Sequence, residues 1–188
     1  RQALATDLQN HDAVYLTDND FGLRGAGRSP DKEMPNGIWR IKDGESRLVL
    51  SAEQLGGIPN GIVFSPDERY LYLSAGQKMM RYEVRPDGSL TAGAQFTEGP
   101  GIGDGMKVDV LGNVYSTSGA GPGRVRITAP NGTLLGFINL PVYGGEPKRQ
   151  ICATNVALGD ADGKSLYVTA CDDVYRIRVK VAGVMPGP

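Results

Sequence analysis

Asn60 and Asp104 carry side-chain oxygens, and hard oxygen donors gathered from separate parts of a chain suit a divalent cation such as Ca²⁺. They stand out because each opens the same kind of stretch. Ile58-Pro-Asn-Gly-Ile-Val-Phe-Ser-Pro-Asp67, Ile102-Gly-Asp-Gly-Met-Lys-Val-Asp109 and Ala153-Thr-Asn-Val-Ala-Leu-Gly-Asp160 each place a polar residue (Asn60, Asp104, Thr154 with Asn155) before a mostly apolar run and a turn. A tyrosine strand follows in every case: Tyr70-Leu-Tyr-Leu-Ser74, Asn113-Val-Tyr-Ser-Thr117 and Ser165-Leu-Tyr-Val-Thr169. Tyr72, Tyr115 and Tyr167 stand 12, 11 and 13 residues after Asn60, Asp104 and Thr154. The three tyrosines read as packing residues, since aromatics fit a pleated, half-buried surface.

Something must bring these donors together. A period of roughly 40 to 50 residues built from short strands is the signature of a propeller blade. With 27 Gly and 12 Pro in 188 residues and few helix-period segments, the chain reads as all-β, a β-propeller of four-stranded antiparallel blades with about four blades present. Residues 1–181 form this domain, Arg1 to His11 remain unplaced, and the Gly/Pro tail 182–188 is expected to fray. In a propeller the first strand of each blade lines the central channel, so residues opening the first strands gather at one mouth. Asn60 and Asp104 then face each other there. The long loop Asp18 to Asn36 returns to the same mouth as a candidate lid, with Ser118 to Gly123 as its shorter counterpart.

Composition excludes other chemistries. A formal charge of −1 gives no electrostatic case for nucleic acid or an anionic membrane, and no apolar run approaches the roughly 18 residues of a spanning helix. His11 is the only histidine, which argues against His-based zinc sites and Ser-His-Asp catalysis. The chain begins at Arg1 with no Met and no signal-like segment, so cytoplasmic and secreted or periplasmic locations both stay open.

The stretches beginning at Pro59, Asp104 and Thr154, with Leu166-Tyr-Val-Thr169 and Val174-Tyr-Arg-Ile177, resemble the C-terminal two-thirds of the gluconolactonase, regucalcin (senescence marker protein) and luciferin-regenerating-enzyme family. The most specific element is Asp104-Gly-Met-Lys-Val-Asp109. The resemblance implies a six-bladed propeller that hydrolyses sugar-type or other lactones with one divalent metal in its channel, Ca²⁺ ahead of Zn²⁺, Mn²⁺, Mg²⁺ or iron. It implies Asn60 as a metal ligand and Asp104 as both ligand and general base, and Thr154 and Asn155 stand behind them as candidate supporting residues. The family's Glu-Gly-Pro motif, which supplies a first-blade ligand, has no counterpart in place here. Glu98-Gly99-Pro100 imitates it just before the first strand of the Asp104 blade and reads as a decoy. A missing N-terminal segment or partner chain is therefore expected. An organophosphate hydrolase of the same type, a non-catalytic propeller scaffold and a complete four-bladed ring are the rival readings.

Alternative local roles stay open for several residues. Asn60 before Gly61 also suits a left-handed turn, and Asp104 also suits a turn cap. Asn131-Gly-Thr133 matches a glycosylation acceptor in a turn where Asn-Gly is expected anyway. Cys152 and Cys171 flank one hairpin, and the register that pairs Leu158 with Ser165 also sets the two cysteines opposite one another. Either a disulfide or two reduced thiols is compatible with that placement.

Overall fold

Alternating strands separated by turn residues pair with their sequence neighbours, because a tight turn returns the chain antiparallel to itself. The computed structural model describes residues 13–21, 34–119, 121–141 and 151–185, together with the backbone of 3–7. Within them the chain forms four antiparallel sheets, each in simple sequence order. The first holds β1 (Ala3–Asp7), β2 (Ala13–Asp18), β3 (Gly37–Lys42) and β4 (Glu45–Ser51). The second holds β5 (Pro59–Phe64), β6 (Tyr70–Ala75), β7 (Lys78–Glu83) and β8 (Ala94–Glu98). The third holds β9 (Met106–Val108), β10 (Val114–Ser116), β11 (Arg124–Thr128) and β12 (Leu134–Asn139), and the fourth β13 (Ala153–Gly159), β14 (Ser165–Ala170) and β15 (Asp173–Arg178). The opening strands lie side by side, β5 against β1, β9 against β5 and β13 against β9.

The sequence reading needs correction at several places. The unplaced Arg1 to His11 segment contains β1, which pairs with β2 from Ala3↔Thr17 to Asp7↔Ala13. The fourth sheet has three strands among the described residues, not four. A helical turn, α1 (Ala52–Leu55), follows β4, started by a capping box between Ser51 and Gln54 and ended by Gly56 at φ 68°. The tail is tied down further than expected. Val110 N–H donates to Ala182 O at 2.9 Å, Gly183 N–H to Gly163 O at 2.9 Å, and Val184 N–H to Val108 O at 3.3 Å. Residues 186–188 lie outside the described residues, as do His11 and the greater part of the Asp18 to Asn36 loop.

Tyrosines join the sheets. Tyr15 on β2 is fully buried and meets Phe64 of the second sheet edge-on, with ring centroids 5.3 Å apart. Tyr72 packs with Met106, Val108 and Val114 of the third sheet, and Tyr115 with Val156, Leu166 and Val168 of the fourth. At about 25 cal/mol per Å² of apolar surface removed from water, these buried rings supply much of the adhesion between sheets. Tyr167 holds the same repeat position on the fourth sheet but stays half-exposed, its hydroxyl donating to Asp160 Oδ1 at 2.7 Å. Asn155, Ala157, Thr169 and Val174 are exposed on that sheet, Val174 to 68%.

At its opening, each of the last three sheets departs from a regular ladder. The pairing shifts by one residue between Pro59↔Ala75 and Ile62↔Leu73, and again between Ala153↔Ala170 and Asn155↔Thr169. In the third sheet Asp104 N–H donates to Thr117 O at 2.9 Å while Thr117 N–H donates to Gly105 O at 3.1 Å, again setting two residues against one. These are β-bulges, which bend a strand and re-aim a side chain. The residues in the bulges are Asn60-Gly61, Asp104-Gly105 and Thr154-Asn155.

A hydroxyl of the preceding sheet secures two of these bulges. Thr17 Oγ1 donates to Asn60 O at 2.7 Å, and Thr117 Oγ1 lies 2.9 Å from Thr154 O and 3.1 Å from Gly105 O. Both threonines are fully buried. Thr117→Val keeps the shape and removes the donor, so urea unfolding is expected to show a loss of about 1–3 kcal/mol. Thr169→Val, at the exposed equivalent position, is expected to stay within about 0.5 kcal/mol.

Candidate metal and catalytic site

Two bulged strand openings bring Asn60 and Asp104 together. The Asn60 side chain is within hydrogen-bonding reach of the Asp104 carboxyl. Asn60 is buried at 8% exposure inside β5, whereas Asp104 is half-buried. Asn60 is not among the described non-glycine residues with positive φ, which are Asp43, Glu68, Asp160 and Cys171. The left-handed turn reading of Asn60 is thereby overturned. Burial pushes the Asp104 carboxyl above its ordinary range, and hydrogen bonds from Asn60 and the Gly105 N–H pull it partly back.

Glycines allow this approach. A Cβ on Gly61 would sit 2.0 Å from Asp104 O, so β5 and the Asp104 segment touch backbone to backbone. Gly119, at φ 70°, would put a Cβ 2.5 Å from Asp104 Oδ2. The carboxylate is therefore framed by Asn60 on one side and a bare backbone on another. Gly105 faces Asn155, whose Oδ1 a Cβ would meet at 2.1 Å, and Gly105 N–H donates to Thr154 O at 3.0 Å.

The two aspartates of the Asp104 to Asp109 string have separate roles. Asp109 is fully buried at the far end of β9 and closes the next turn, accepting from Leu111 N–H at 3.0 Å, Asn113 N–H at 2.9 Å, Asn113 Nδ2 at 2.8 Å and Tyr115 Oη at 3.3 Å. Burial, reinforced by Asp109, pushes the Tyr115 hydroxyl up to about 12. Thr154 directs its hydroxyl to Thr169, 2.9 Å from Thr169 Oγ1, and reaches the Asp104 segment through its carbonyl. The exposed Asn155 accepts from Val156 N–H at 2.9 Å and packs on Gly105. Glu98 ends the outermost strand of the second sheet and is exposed, away from the opening strands.

Cys152 and Cys171 are joined, with S–S 2.00 Å and Cα atoms 5.3 Å apart. The register behind their juxtaposition differs from the expected one. Along the strand Leu158 pairs with Leu166, and Gly159 with Ser165, one residue off the predicted pairing. The bulge at Thr154 absorbs that residue, so Ala153 faces Ala170 and the cysteines beyond are opposed after all. Asn131 Oδ1 accepts from Thr133 N–H at 3.1 Å, which commits it to its turn.

Asn60 and Asp104 offer two hard oxygen ligands, fewer than the six to eight that Ca²⁺ takes. Among the described residues no three His, Cys, Asp or Glu side chains converge to hold an ion. No helix among the described residues is long and apolar enough to cross a membrane.

Residues 9–172 match the model of the SMP-30/Gluconolactonase/LRE-like region. The chain is similar to a gluconolactonase from Zymomonas mobilis, 34% identical over 185 residues that cover 91% of this chain and 48% of that protein. Among solved structures it is similar to a gluconolactonase from Xanthomonas campestris, with a TM-score of 0.69 and 29% identity over 89% of this chain and 52% of that one. A calcium-binding regucalcin from Agrobacterium tumefaciens shares the fold, with a TM-score of 0.63 and 20% identity over 84% of this chain and 49% of the other. The chain thus spans about half the length of these relatives.

Gly61→Ala tests the backbone contact. The added methyl collides with a backbone carbonyl that cannot rotate away. Denaturation is expected to show a loss of about 1–3 kcal/mol, the usual cost of overpacking. Gly76→Ala, with no atom within 4 Å of its Cβ but φ at 63°, measures backbone strain alone.

Proposed function

Because the chain belongs to the SMP-30/gluconolactonase/LRE-like family, we propose that it is part of a metal-dependent hydrolase that opens sugar-type lactones. On this reading the sheets are blades of a propeller, and Asn60 and Asp104 face its central channel. The observation that carries the proposal is the meeting of the Asn60 carboxamide and the half-buried Asp104 carboxyl at the bulged openings of adjacent inner strands. The gluconolactonase relatives support a lactone as substrate.

The donor set fits a hard divalent cation, Ca²⁺ ahead of Zn²⁺, Mn²⁺, Mg²⁺ or iron, and a calcium-binding relative supports metal binding. Asn60 and Asp104 are the residues that would hold it, each through a side-chain oxygen. When bound, such an ion polarises the lactone carbonyl and stabilises negative charge developing on its oxygen. Asp104 accepts the proton of the attacking water at a carboxylate oxygen, and its partial burial makes it a stronger base than an exposed aspartate. Asn60 fixes the orientation of that carboxylate. We further propose that the remaining ligands and blades come from sequence beyond this chain or from a partner, packed where Tyr167, Val174 and Asn155 are left open to solvent.

The test takes the intact protein through chelation and metal readdition on a panel of aldonolactones and an organophosphate triester. Expected are lactone turnover that chelation abolishes and Ca²⁺ restores, and a fall of at least about 100-fold in Asp104→Asn. Full turnover in that variant overturns the base assignment. Faster cleavage of the triester favours the phosphotriesterase reading, and absence of metal binding favours a scaffold.

A stability measurement separates site from turn cap. A carboxyl with a raised folded pKa contributes most below its unfolded value near 3.9, and that contribution is lost as pH rises through the folded value. At pH 7 in chelator, Asp104→Asn is therefore expected to unfold no earlier than wild type. A lower melting temperature means that the carboxylate serves the turn.

A further inference from the structure

We propose that the Cys152–Cys171 bridge positions the Asp104 carboxylate, an inference that rests on reading Asp104 as the reacting group. The bridge closes the β13–β14 hairpin immediately beyond the Thr154 bulge, backed by Cys171 N–H donating to Cys152 O at 3.2 Å. The next two carbonyls hold the frame of the carboxylate. Ala153 O accepts from Gly119 N–H at 2.9 Å, and Thr154 O accepts from Gly105 N–H at 3.0 Å and from Thr117 Oγ1 at 2.9 Å. Gly105 follows Asp104 directly, and Gly119 lies against Asp104 Oδ2. Any movement of the start of β13 therefore reaches both glycines that flank the carboxylate.

A further observation points the same way. Cys171 stands at φ 53°, and the residues four positions after Tyr72 and Tyr115 are Gly76 at φ 63° and Gly119 at φ 70°. A side chain in this left-handed position is disfavoured, and such outliers persist where the surroundings hold them in place. Cys171 is the exception among these hairpins, and it carries the bridge.

The test compares the intact protein with the Cys152→Ala/Cys171→Ala double variant, well below the unfolding temperature of either. Amide hydrogen exchange is expected to quicken at least tenfold at Gly105 and Gly119 and to stay within twofold along β11. On an aldonolactone, kcat is expected to fall about tenfold with KM within twofold. If the double variant does not fold, wild-type protein reduced with dithiothreitol takes its place. The dithiol passes two electrons and two protons to the bridge and closes to a cyclic disulfide. Unchanged exchange at Gly105 and Gly119, or quickening shared equally by β11, overturns the proposal. Local quickening in a protein that turns over no lactone supports the mechanical link and sinks the role of Asp104.

Discussion

A carbonyl pushed out of register must still find a donor, and the hydrogen bond from Thr17 Oγ1 to Asn60 O meets that need across a sheet boundary. Left unpaired in a buried setting, such a group costs about 1–3 kcal/mol. The bulge that carries Asn60 is thus tolerable only where a neighbouring sheet is close enough to lend a hydroxyl. Site geometry and adhesion between sheets are one constraint. The tyrosine two residues before Thr17, and the one two residues before Thr117, bury against that same neighbour and fix the distance.

The repeat was legible because its apolar periodicity, its turns and its tyrosines are local features of sequence. A fuller version was present too. Tyr15-Leu-Thr17, Tyr72-Leu-Ser74, Tyr115-Ser-Thr117 and Tyr167-Val-Thr169 share a tyrosine followed two residues later by a hydroxyl, and this pattern identifies the first sheet as a member. It also marks the hydroxyls that secure the bulges. Ser74 makes the weakest use of the position, reaching its own sheet's Gly61 O at 3.5 Å.

What escaped was set by pairing partners distant in sequence. Ala3-Leu-Ala-Thr-Asp7 has too little apolar contrast to announce a strand, and it is one because β2 offers it a ladder. Bulges leave no compositional trace, which is why the hairpin register at Leu158 was misplaced while the cysteines beyond it were correctly opposed. The tail reads as loose from its glycine and prolines, yet Gly183 packs so tightly that a Cβ there would stand 2.3 Å from Leu158 Cβ. The two aspartates of one short string, alike in sequence, separate only when burial and donors are counted: Asp109 saturated with hydrogen bonds, Asp104 held above its ordinary pKa range by desolvation.

Asn60, Asp104 and Thr154 occupy one backbone position in three copies of the same unit, and each copy presents different chemistry from it. In the Asn60 copy the bulge is held by backbone groups and by a hydroxyl from another sheet, so its own side chain is free for other chemistry. A lineage that multiplies such a unit acquires a row of interchangeable sockets. New selectivity then arises by point substitution at a socket, while the scaffold that holds it is inherited unchanged.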